Sequence, residues 1–156
     1  MRLDNHLRPA QSRNCETKLA AKPMACISST LKSSIYNFLR VSGGRPFFAR
    51  VGITPTASLN GVEILIPRTA FEHPKGMERH PDWAAAAERG IRYALTHASP
   101  PHTGGIHLTV NSILGTEVDT TVDAVATAAC FATWDALEIS SAHPPRLEAG
   151  NFIFEP

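Results

Sequence analysis

The clearest alternation in the chain runs from Ile106 to Asn111, where Ile106, Leu108 and Val110 are apolar and His107, Thr109 and Asn111 are polar. A period of two places these sets on opposite faces of a strand, one facing a core and one facing solvent. Two further strands are predicted upstream, at Ile35 to Val41 and at Phe47 to Ile53, and Ser42-Gly43-Gly44 between them suits a tight reversal. Pro55 and the turn Ser58-Leu59-Asn60-Gly61 end the second of these, and Asn60-Gly61 is a strong signal for a short hairpin. Val62, Ile64 and Ile66 then predict another strand, stopped by Pro67.

The period changes to that of a helix in two places. From Asp82 to Thr96, Trp83, Ala87, Ile91, Ala94 and Leu95 form one apolar stripe, Pro81 suits the first turn, and Ser99-Pro100-Pro101 stops the helix. The residues before it, His73 to Pro81, read as a polar loop. The second helix follows Thr120, predicted as its cap, with Asp123 three residues on in a variant of the capping box. Ala124, Ala126, Ala128, Ala129, Ala132 and Ala136 let this helix approach a sheet closely, while Phe131, Trp134 and Leu137 supply bulk. The order is β-β-β-α-β-α. Two helices on one face of a mostly antiparallel sheet bury one face of every element, so an α+β two-layer sandwich is expected over residues 34–140. Residues 1–33 read as a basic flexible arm or a mis-assigned leader, with Met24 an alternative start. Residues 141–156 read as a tail in which Asn151-Phe152-Ile153-Phe154 forms an edge strand or a docking arm.

Composition narrows the classes. Of 156 residues, 43% are hydrophobic and 19% charged, so a globular core is expected. A net charge of +1 exerts no bulk pull on nucleic acid, so any RNA contact needs a local basic patch. The arm concentrates Arg2, Arg8, Arg13, Lys18, Lys22 and Lys32 against Asp4 and Glu16; it lacks the apolar core of a secretory signal, and its basic composition also fits an organelle transit peptide. Cys15, Cys26 and Cys130 form no C-x-x-C pair, which points to a reducing cytoplasm; Cys130 reads as a small core residue. No apolar run approaches the roughly 20 residues of a membrane span.

Catalytic motifs are sparse. There is no phosphate-binding G-x-x-x-x-G-K-[ST] loop, no H-E-x-x-H and no cysteine cluster, so neither a cofactor nor a metal is expected. His107, Ser112 and Asp119 can be written as a triad, but no nucleophile elbow supports it. Asp119 and Asp123 read as helix-dipole and capping residues. Arg40, Arg45 and Arg50 fall around the first turn with Phe47 and Phe48 between them, a mixture suited to phosphate contact and base stacking.

Three segments together resemble a known family. Ser42-Gly43-Gly44-Arg45 leading into a strand is similar to the S-G-G-R-G-Q-Y-G-H-V stretch of domain IV of elongation factor G, the translocation factor of the ribosome. Ala87-Glu88-Arg89-Gly90-Ile91-Arg92-Tyr93-Ala94-Leu95 resembles that domain's V-E-K-G-I-R-E-A-L helix. Thr109-Val110, a loop, and Glu117-Val118-Asp119-Thr120-Thr121 resemble its T-L-Y-D-G-S-Y-H-E-V-D-S-S segment with equal spacing. The resemblance implies a ribosomal-protein-type domain with a left-handed β-α-β crossover. It also implies two loops, Ser42 to Arg50 and Asn111 to Thr120, lying together at a tip that enters the decoding region of the small ribosomal subunit.

The expected function is that of a non-catalytic module binding ribosomal or other structured RNA through this tip. Arg40, Arg45 and Arg50 would meet phosphates, Gly43 and Gly44 would allow close backbone approach, and Ser42, Asn111 and Thr116 would complete the surface. The second loop departs from the family in Ser112-Ile113-Leu114-Gly115-Thr116, so exposed Ile113 and Leu114 suggest, as an alternative, a protein-interaction or oligomerisation surface. A small-molecule enzyme on the same fold is the third alternative. No GTP binding and no membrane association are expected.

Overall fold

The computed structural model describes residues 31–72, 76–99, 104–141, 143–148 and 151–154. The basic arm lies outside the described residues except for its last three. The chain forms β1 (Ser34–Ser42), β2 (Arg45–Ala57), β3 (Val62–Leu65), a short 3-10 turn (Arg68–Ala70), α1 (Gly76–Arg79), α2 (Pro81–Thr96), β4 (Ile106–Leu114), α3 (Val122–Leu137), β5 (Arg146–Glu148) and β6 (Asn151–Ile153). Four strands make one sheet in the order β1-β2-β4-β3, and β5 pairs with β6 in a separate hairpin. Phe154, just after β6, sits edge-on to Tyr93 of α2 and so ties the tail to the helix layer.

The α+β two-layer sandwich is thus the architecture observed. Alternate residues of β2 and β4, namely Ala49, Val51, Ile53, Ile106, Leu108 and Val110, are buried beneath both helices. The helices meet through small residues. At Gly90 of α2 an added Cβ would collide with the backbone carbonyl of Ala126 in α3, so the closest approach depends on a missing side chain. The Trp134 indole N–H donates to the Ala94 carbonyl at 3.0 Å, satisfying a buried donor across the same interface. Twelve of the sixteen residues of α3 are buried, so this helix is enclosed on most of its circumference.

Three expectations need correction. Asn60-Gly61 does turn the chain, with Gly61 at φ 88°, but β3 does not fold back onto β2. It pairs parallel with β4, which already occupies the place beside β2, and the turn is pinned there by the Ser58 N–H bonding the Gly105 carbonyl. The cap of α3 is Thr121, whose hydroxyl accepts from the Ala124 N–H at 3.1 Å; Thr120 is engaged elsewhere. Part of the segment expected as a loop at 73–81 is the helix α1, and residues 73–75 lie outside the described residues.

The fourth correction bears on function. β4 does not stop at Val110 but continues to Leu114 through a bulge: Ile53 pairs with Val110 and Gly52 with Ser112, leaving Asn111 as the extra residue. The bulge resets which residues face inward. Ile113, opposite Val51, enters the core and is 2% exposed. It is not a loop residue open to a partner.

Candidate functional site

The first loop is the two-residue reversal between β1 and β2. Ser42 pairs with Arg45, and Gly43 and Gly44 have φ of 59° and 75°. Two successive residues at positive φ give the twist that a two-residue hairpin requires, and glycine adopts it without steric cost. An added Cβ at either glycine would meet nothing within 4 Å, so the corner is bare and projects from the molecule.

The second loop, between β4 and α3, closes on itself. The Thr116 N–H donates to the Thr120 hydroxyl at 2.8 Å, the Asp119 N–H to the Thr116 hydroxyl at 3.1 Å, and the Thr120 N–H to the Thr116 carbonyl at 3.1 Å. Gly115 begins it because a Cβ there would press on Thr120 and on the Trp83 ring.

The two loops lie side by side at one end of the sandwich. The Phe48 N–H donates to the Asp119 carbonyl at 3.0 Å, the Thr120 hydroxyl donates to the Phe48 carbonyl at 2.7 Å, and Arg45 Nη2 donates to the Val118 carbonyl at 3.2 Å. The Arg45 guanidinium also lies over the Phe47 ring, 5.7 Å from its centroid.

Not every expected residue joins this end. Arg40 pairs with Phe47 and Ser42 with Arg45, so Arg40, Ser42 and Arg45 share the helix-side face near the corner. Arg50 pairs with Asn37 and Leu114 and projects from the opposite face, so the three arginines do not form one cluster. Asn111 is held in the bulge, its amide donating to the Thr54 hydroxyl at 2.8 Å. Thr116 is at the tip. Leu114 is half-buried on the bare face of the sheet. The exposed apolar residue of the second loop is Val118, at 74%; the alternation around it in the sequence gives no sign of which side chain a closed turn expels. Glu117 and Asp119 flank it, so the tip carries both signs of charge.

Elsewhere, a cavity of about 370 Å³ lies at the start of α2, with Phe71, Trp83 and Leu114 in its walls and Glu72, Arg79 and Glu117 bringing charge to it. Its described lining holds no serine, threonine, cysteine or lysine. Cys130 is fully buried, and burial pushes its thiol pKa far up, so the thiolate is suppressed. Among the described residues no group of three or more His, Cys, Asp or Glu gathers to hold a metal, and no helix is long and apolar enough to cross a membrane.

No protein-family model matches the chain, and no curated protein does either. A crystal structure of a protein from Thermus thermophilus is similar in fold: it superposes with a TM-score of 0.51 at 21% identity, over 69% of this chain. The chain spans 15% of that protein's length, so the likeness is to one part of a much longer molecule. At this identity the likeness speaks for the fold alone.

Proposed function

We propose that this chain is a non-catalytic RNA-binding module resembling domain IV of elongation factor G, working in the cytoplasm and meeting structured RNA, ribosomal RNA above all, with the end built by its two loops. The observation that carries this reading is the joining of those loops through Arg45 and Val118. A bare glycine corner, a guanidinium beside it and Arg40 on the same face let a phosphate backbone approach the glycine backbone closely. Arg45→Ala is expected to weaken binding to a ribosomal RNA helix and to lower the slope of log K against log salt by about 1, as for the loss of one phosphate contact. Fluorescence polarisation across a salt series reads both. If affinity and slope are both unchanged, the reading falls.

A second reading is favoured by a different observation. Ile35, Leu39 and Val41 are 51%, 67% and 71% exposed on the bare face of the edge strand β1. Three such residues on one strand face, with Asn37 between the first two, suit a contact with another protein chain, including a second copy. Light scattering tests the self-association form of this reading: an oligomer abolished by Leu39→Asp supports it, and a monomer at all concentrations removes a second copy as the partner.

A further inference from the structure

We propose that a cavity along the free edge of β1 is a nucleotide pocket, holding a base against the Tyr36–Phe131 pair and its phosphate between Arg40 and Arg146. The cavity measures about 370 Å³, within the range of small-ligand sites. Its walls come from three elements. Tyr36, Phe38, Arg40 and Ser42 are alternate residues of β1 and share its helix-side face; Phe131 comes from α3; Pro145 and Arg146 come from the C-terminal arm.

The pocket lies beside α3, which packs on both β2 and β1. The helix begins over β2, where Thr120 bonds Phe48, and reaches β1 at Phe131, which stacks on Tyr36 at 5.0 Å between centroids and 20° between planes. Towards the tip end of β1, Arg40 and Ser42 line the cavity beyond the Tyr36–Phe131 contact. The arm carrying Pro145 and Arg146 closes the third side.

The lining selects the ligand. The half-buried Tyr36 and Phe131 rings are stacked on each other and line the cavity, so a base would pack against the outside of the pair rather than between the rings. Two arginines offer planar forks matched to phosphate oxygens, and the Ser42 hydroxyl adds a donor. From Tyr36 to Arg40 the strand advances four residues, about 13 Å, which a nucleotide and an outstretched arginine together span. The cavity at the start of α2 is of the same volume, but its lining mixes Glu72 and Glu117 with Arg79 and His80 and so presents no pair of cations without carboxylates beside them. That the pocket takes a nucleotide stands on its own geometry; that this nucleotide belongs to a single-stranded stretch of a bound RNA rests on the reading given above.

The test is an NMR titration of the whole chain with adenosine monophosphate, following the ring protons of Tyr36 and Phe131, with adenosine and inorganic phosphate as separate arms. Saturable ring shifts are expected with the monophosphate, and Arg40→Ala and Arg146→Ala should each weaken it by about tenfold. Arg68→Ala, a charge removed elsewhere, should leave the affinity unchanged. No ring shifts up to about 10 mM, a range that captures even millimolar binding, overturn the proposal, as do shifts of equal affinity for adenosine or indifference to both arginine substitutions. A single-stranded octa-adenylate should displace the monophosphate; failure to displace it overturns RNA as the source. Because the monophosphate does not span to Val118, a negative result at Arg45 with structured RNA leaves this measurement intact.

Discussion

The guanidinium of Arg45 donates a hydrogen bond to the carbonyl oxygen of Val118, 73 residues further along the chain, at 3.2 Å. It is an exposed bond, and its net contribution to stability is expected to be no more than about 1 kcal/mol. Its importance is positional. It fixes a charged side chain against a loop whose own conformation is set by a partly buried threonine, so the arrangement of the tip depends on Thr120 more than on Arg45.

Replacing Thr120 with valine keeps the shape and removes the hydroxyl, leaving the Thr116 N–H and the Phe48 carbonyl without their side-chain partner. A loss of about 1–3 kcal/mol is expected, while Thr120→Ser, which retains the hydroxyl, should lose much less. Urea unfolding of the three proteins measures this; equal losses for valine and serine would contradict it.

Ile113→Asp should disrupt folding rather than association. Ile113 is in the core, and an unpaired carboxylate there costs several kcal/mol, so the cooperative thermal transition should be lost or move down sharply. Val118→Asp, at an exposed position, should change stability by about 0.5 kcal/mol or less. Calorimetry of the pair separates the buried residue of the segment from its exposed one.

At Gly90, alanine is ordinarily the better helix former by about 1 kcal/mol. Here the added methyl meets the Ala126 carbonyl, which is backbone and has little room to give. Gly90→Ala is therefore expected to destabilise by about 1–3 kcal/mol, read as a lower urea midpoint. A stabilised variant would show that the helices can part without cost.

Cys130 should be silent in the native protein. With Cys15 and Cys26 changed to serine, a thiol reagent at neutral pH should label nothing until denaturant is added, and then one equivalent. Because burial raises the folded pKa above the ordinary value, the associated stability is present below that value and declines as pH rises past about 9.0, where the unfolded thiol ionises first. A thiol that reacts without unfolding would overturn this account.

The elements that could be read from the chain are those fixed by local period. Ile106, Leu108 and Val110 on one strand face, and Trp83, Ala87 and Ile91 on one helix face, are all core residues, because alternation and the helical stripe report burial directly. Pairing could not be read in the same way. Asn60-Gly61 specifies a turn and says nothing of which strand is free to receive the next one, so the parallel seat of β3 beside β4 was missed. The bulge at Asn111 was invisible because two successive polar residues look like a loop, and only the partner strand shows that Ile113 turns inward again. Thr120 and Thr121 are equally good caps by residue type, and the choice between them is made by Phe48, a residue far away in sequence. For the candidate site, the side-by-side placement of the two loops was expected from the resemblance, whereas the separation of Arg50 from Arg45 follows from strand parity across the hairpin.

The enclosure of α3 has a kinetic consequence. With most of its surface shut in by the sheet and α2, its backbone amides reach solvent only when the whole domain opens, so they should be among the last to exchange with deuterium. The glycine corner, with nothing packed around it, should exchange almost at once, and the span between these two rates measures the free energy needed to open the body of the molecule.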